Sequence, residues 1–190
     1  MSIKHQQTSS DFLEWNEALN VINKLEKDNE TVFSLLFAVG IFTGLRISDI
    51  RELKWGDVLN TNAISIIANK TGKHRKIKLN ENFISILNRI ATKTKADANQ
   101  YLIFGNKSRL SIQYINRKLK DIKVLFKLKI KNISTHTFRK SFGRHIWEIH
   151  NHSEKSLLLL SELFNHSSVA ITKRYLGIKE QELQEIYDLL

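Results

Sequence analysis

The stretch AISIIANKTGKHRKIKL, residues 63–79, is where the period of the chain changes. AISIIA (63–68) is dense in β-branched residues and HRKIKL (74–79) alternates, so both read as strands. NKTGK between them carries the glycine that a hairpin turn needs. On either side the period is helical. SDFLEWNEALNVINKLEKDNE, from Ser10, has apolar residues at 12, 15, 18, 19, 22 and 25. TVFSLLFAVGIFTG (31–44) is apolar almost all round, as a buried central helix is, and Gly44 ends it. A short helix is predicted after Arg46, ending before Trp55. Further helices are predicted over 81–94, 111–128, 135–149, 154–164, 168–175 and 179–189, with a short strand at YLIF (101–104). The expectation is a mostly α domain over 10–190 with one small antiparallel sheet (α+β), preceded by a polar, frayed segment at 1–9.

The composition narrows the chemistry. The 190 residues contain no cysteine, which excludes disulfides, thiolate metal sites and a catalytic thiol. The longest apolar run, LLFAVGIF at 35–42, is too short to span a bilayer, and the first residues lack a signal-peptide core, so a cytoplasmic protein is expected. His145, His150 and His152 do not have the spacing of a metal site.

Thirty Lys/Arg against nineteen Asp/Glu give a net charge of +11, and the excess is not spread evenly. Residues 106–144 hold twelve Lys/Arg and one acid, Asp121, and residues 69–80 hold five and none, whereas 145–190 hold four against seven acids. Two concentrated basic blocks favour a polyanionic partner. Lys73 and Arg75 in the first block, and Lys118, Lys120, Lys123 and Lys140 in the second, are the candidate backbone contacts.

The same blocks contain residues suited to phosphate chemistry. His136 and Arg139, in THTFRKSFGRH, are three apart and share a helix face that Ser134 or Thr135 can cap. Arginine binds phosphate oxygens in bidentate fashion. Arg46, in TGLRISDI, follows the apolar helix directly, a costly place for a cation unless it faces a cleft or a partner such as Asp49. Lys70 closes the first strand, with Lys73 as its rival in the turn. His166 and Tyr175, in FNHSSVAITKRYLG, are nine apart.

Arg46, Lys70, His136, Arg139, His166 and Tyr175, in this order and with these neighbours, resemble the tyrosine recombinases, the integrases of phages and mobile elements. The resemblance covers about residues 10–190 and implies their catalytic-domain fold. It implies that Tyr175 attacks a phosphodiester to give a 3′-phosphotyrosyl link with a free 5′-hydroxyl. Lys70 would protonate the leaving oxygen, His136 would assist proton movement, and Arg46, Arg139 and His166 would neutralise the transition state. Asp49 would be a supporting residue. No metal, cofactor or ATP is needed, because the cations neutralise charge and covalent capture conserves the bond energy. Asn165 stands where the family most often has glycine. Asparagine is the residue that best replaces glycine in the left-handed conformation. The resemblance further implies an N-terminal DNA-clamping domain that these residues do not include. It also implies a monomer in solution that assembles as a tetramer on DNA, with a C-terminal segment exchanged between protomers. Strand relaxation in the manner of a type IB topoisomerase, or binding without catalysis, are the alternatives for the same set.

Overall fold

The computed structural model describes residues 10–67, 72, 74–105, 108–178 and 187–188. Its centre is α2 (Thr31–Thr43), preceded by α1 (Trp15–Lys27). Phe33 to Ile41 of α2 are buried without a break. A helix apolar on every side needs neighbours on every side. α2 packs against α1, α4 (Glu81–Thr94) and α6 (Thr135–Ile149). A Cβ on Gly40 would come within 2.6 Å of Phe138, so glycine is what lets α6 approach this closely.

Helix α1 begins at Trp15, later than its apolar period. Residues 10–14 instead tie to α6 and the segment before it: Asp11 N–H donates to the Asn132 carbonyl (2.9 Å) and Leu13 N–H to Ser141 Oγ in mid-helix (2.8 Å). Those tertiary bonds replace the helical ones. After α2 come α3 (Ile47–Ile50), a 3-10 turn at Trp55–Asp57, then β1 (Ala63–Ile67) and β2 (His74–Lys78). The strands pair antiparallel with Ala63 opposite Lys78 and Ile67 opposite His74. Tyr101–Phe104 is not a strand in this sheet. Tyr101 makes a single bridge to Lys54 and Phe104 one to Arg109, because only turn segments lie beside them.

Three helices complete the order: α5 (Ile112–Leu125), α7 (Glu154–Phe164) and α8 (Val169–Leu176). Their N-caps are Ser111, Ser153 and Ser168, each accepting an N–H from the first turn of its helix. The buried side chains form two cores. The larger runs from Leu13 to Phe138, and the smaller joins Trp147, Leu157, Leu160, Phe164, Leu176 and Ile178. Helix α6 stands between them, supplying Phe138 to one and Trp147 to the other. His145 stacks on Trp15 and His152 on Trp147, so both histidines are taken up by aromatic packing. Among the described residues no helix is long and apolar enough to cross a membrane. Residues 1–9 and most of the predicted 179–189 helix lie outside the described residues.

Candidate active site

Backbone signals in three places bring the site together. Gly44 ends α2 in the left-handed conformation (φ 60°), turning the chain so that Arg46 caps α3 in an extended one. Ser134 caps α6 by accepting the His136 N–H (3.1 Å), and Thr137 Oγ1 accepts the Ser134 N–H in return. Asn165 ends α7 with φ 52° and ψ 50°, as a glycine would, and aims His166 back toward α8.

The terminal carbonyl of α7 receives two arginines. Arg46 Nη2 donates to the Phe164 oxygen at 3.0 Å and Arg139 Nη2 to the same oxygen at 3.1 Å. Arg139 also donates through Nη1 to the Gly44 carbonyl, and its guanidinium lies over the Phe164 ring (4.1 Å). Arg139 is only 4% exposed. The carbonyls at a helix C-terminus carry partial negative charge, which offsets the repulsion of two neighbouring cations. Asp49, buried on α3, supplies the full negative charge, and it acts on Arg139 and on Arg75.

Tyr175 stands beside this pair. Its ring meets His166 edge-on at 5.4 Å and Phe164 at 5.7 Å, and Lys140 Nζ sits 5.4 Å from its centroid. Its hydroxyl donates to the His136 carbonyl across a long 3.5 Å contact. Burial pushes the phenol up to about 12, against the pull of Arg139 and Arg46. Tyr175 is therefore neutral at neutral pH, so any attack by its oxygen needs proton removal. Burial also lowers Arg139 to about 10, with Tyr175 opposing and Arg46 and Arg75 adding. His136 and His166 both fall below the usual imidazole value. Desolvation is the first cause for each, followed by Arg139, then Lys140 and Arg46 for His136, and Arg46 for His166. His166 Nδ1 is bonded to Thr172 Oγ1 at 2.9 Å.

Arg46, His136, Arg139, His166, Tyr175 and Asp49 thus share one electrostatic neighbourhood, and Arg75 and Lys140 belong to it as well. The sequence suggests the last two only as backbone contacts. Alternation along β2, which turns Arg75 inward and leaves its neighbours His74 and Lys76 exposed, is the signal that could have distinguished Arg75. The Phe164 carbonyl leaves no such signal. Lys118 and Lys123 are engaged elsewhere: Lys118 approaches Glu30 at 4.0 Å, beside the start of α2, and Lys123 donates to the Lys131 carbonyl at 2.6 Å. Lys120 is exposed on α5. Lys70 and Lys73 lie outside the described residues. Chemically, the convergence of guanidiniums, neutral imidazoles and a phenol suits an anionic tetrahedral group approached by an oxygen nucleophile.

Comparison with known proteins points the same way. The family model described as "Phage integrase family" matches residues 11–182. A protein of Bacillus subtilis, the probable integrase/recombinase YoeC, is 35% identical over 88% of this chain and 86% of its own length. The tyrosine recombinase XerC of Xanthomonas axonopodis is 27% identical over 80% of this chain, which spans about half (49%) of that relative. Among solved structures, the XerA recombinase shares the fold with a TM-score of 0.70 at 24% identity, over 94% of this chain and 64% of its own. The XerH site-specific recombinase, in a post-cleavage complex with its difH substrate, gives 0.68 at 22% identity, over 96% of this chain and 55% of its own.

Proposed function

The chain belongs to the phage integrase family, and from that premise we propose that it cleaves and rejoins DNA site-specifically through a phosphotyrosyl intermediate at Tyr175. The observation that carries the proposal is the sharing of the Phe164 carbonyl by Arg46 and Arg139, with the Tyr175 ring packed against the same phenylalanine. The donors that would meet a phosphate are fixed before any substrate arrives, so little reorganisation is needed in the transition state.

In this reading the Tyr175 oxygen forms a bond to phosphorus and the bridging 5′ oxygen leaves. The phenol proton must depart as that bond forms, and His136, whose own carbonyl holds the hydroxyl, is the neighbouring base. Lys70 returns a proton to the leaving 5′-hydroxyl. Arg46, Arg139 and His166 take the charge on the non-bridging oxygens, and Asp49 keeps Arg139 and Arg75 charged and in place. Rejoining is the same path reversed, with a 5′-hydroxyl as nucleophile. Double-stranded DNA is the substrate, contacted through its phosphates by Lys73, Arg75, Lys118, Lys120, Lys123 and Lys140. The free protein is a monomer, kept apart by its positive charge, and assembles as a tetramer once DNA neutralises it.

The test starts from a randomised library of nicked duplexes, from which covalently captured sequences are recovered and amplified. A denaturing gel should show a protein–DNA adduct whose peptide maps to Tyr175, and Tyr175→Phe should abolish the adduct while binding persists. An adduct at Tyr101, Tyr114 or Tyr187, or capture undiminished in Tyr175→Phe, would refute the assignment.

A further inference from the structure

Helix α8 carries, besides Tyr175, the residue that holds His166. Thr172 is fully buried (0% exposed), three positions before the tyrosine, and its Oγ1 lies 2.9 Å from His166 Nδ1. A neutral imidazole has one N–H, and a hydrogen bond to one ring nitrogen decides which of the two bears it. The hydroxyl proton of Thr172 has its own requirement. Among the described residues the one hydrogen bond of this hydroxyl is to His166, so a buried O–H left undonated would cost free energy. Donation from Oγ1 to Nδ1 satisfies both groups and leaves the ring proton on Nε2, the nitrogen on the far side of the ring. The opposite arrangement would strand the hydroxyl proton and leave Nε2 as a bare acceptor, unable to donate to an anion. Helix α8 fixes Thr172 through its N–H to the Ser168 carbonyl (3.4 Å), and the Phe164 ring meets the imidazole edge-on at 5.5 Å.

We propose that Thr172 is a positioning residue that locks His166 in the Nε2–H tautomer and aims that N–H at the phosphate. The inference rests on the proposed role of His166 as a phosphate ligand. Burial first, then Arg139 and Arg46, favour the neutral ring on which a tautomer choice has meaning. One side chain thereby couples the two ends of FNHSSVAITKRYLG. The helix that presents the nucleophile also sets the donor that receives the charge.

Long-range proton–nitrogen correlation spectra of the free, histidine-labelled protein at pH 7.5 read the tautomer without any DNA. The His166 ring should show the Nε2–H pattern in the wild type and in Thr172→Ser, and a mixed or Nδ1–H pattern in Thr172→Val. Single-turnover cleavage of a nicked site captured as above should fall about tenfold in Thr172→Val, the order expected for one hydrogen bond, and recover to within about threefold in Thr172→Ser. A wild-type Nδ1–H tautomer would overturn the proposal. So would a folded Thr172→Val protein with unchanged tautomer and rate, or a Thr172→Ser protein as slow as Thr172→Val. Should Thr172→Val not fold, the wild-type tautomer and the serine variant decide alone. A wild type that forms no adduct refutes the phosphotyrosyl reading, whereas the tautomer is read separately from it.

Discussion

Arg46 and Arg139 donate to one and the same oxygen, the carbonyl of Phe164, at 3.0 and 3.1 Å. Ninety-three positions separate them in the chain, so a helix end serves here as the gauge that sets their spacing. The residue that allows that helix to end there is Asn165, in the left-handed conformation.

Asn165 should therefore tolerate glycine and reject alanine. A side chain other than asparagine or glycine costs about 1 kcal/mol or more in this conformation. Asn165→Ala is expected to lower the melting temperature by about 2–4 °C for each 1 kcal/mol lost. Its cleavage should be impaired beyond what its stability accounts for, because the Phe164 carbonyl moves with the turn. Asn165→Gly should keep both. Calorimetry paired with single-turnover cleavage separates the two effects.

Acid should weaken the fold through its depressed histidines. His166, His136 and His145 all sit below the ordinary imidazole value in the folded protein. The unfolded chain therefore binds protons more readily as pH falls through the ordinary value of about 6.5 and below, and stability is lost in that direction. Glu148, raised by burial, works the opposite way at the acid end of the window. Comparing melting temperatures at pH 7 and pH 5 in the wild type and in His166→Gln isolates the contribution of one ring. The variant should show the shallower decline.

The salt dependence of DNA binding locates the α5 lysines. Log affinity should fall against log salt with a slope of about −0.9 per phosphate contact. Neutralising Lys118, Lys120 and Lys123 together should reduce that slope by up to about 2.7, at about 0.9 for each contact. An unchanged slope would leave Lys118 and Lys123 to the bonds they make with Glu30 and the Lys131 carbonyl.

The general acid is tested by changing the leaving group. Lys70→Ala should block cleavage of an ordinary phosphodiester. A substrate with sulfur at the bridging 5′ position, whose thiolate leaves without protonation, should restore it. Equal slowness on both substrates would make Lys70 a phosphate clamp.

Local features of this fold were legible in the sequence because they obey local rules. Helical period placed α2 and α6, three-residue spacing placed His136 and Arg139 on one helix, and Asn165 marked a left-handed turn. What stayed hidden depends on which elements meet. YLIF has the composition of a strand, yet Tyr101 and Phe104 find only single bridges. The period through Phe12 suggests a helix, but the bonds of Asp11 and Leu13 to α6 and the residues before it keep that segment out of one. Arg75 looks like one basic residue among five; alternation along β2 marks its inward side, but only the packing of the hairpin brings it to the charges of Arg46 and Arg139. A backbone oxygen such as that of Phe164 has no letter in the sequence at all.

The division of the interior into two cores gives the two halves of the chemistry different foundations that meet at the Phe164 carbonyl. Arg46, Asp49 and Arg75 stand on elements rooted in the larger core, while Tyr175 rides on α8 and His166 lies in the turn after α7, both helices rooted in the smaller. Substitutions that drift through Leu157, Leu160 or Leu176 adjust the reach of Tyr175 and, through the Phe164 carbonyl, the spacing of Arg46 and Arg139 as well. Substitutions around α2 reach Arg139 from the other side, through the Gly44 carbonyl. Attack and charge capture are therefore inherited together, with α6 and the end of α7 as the shared wall through which a change in one is felt by the other.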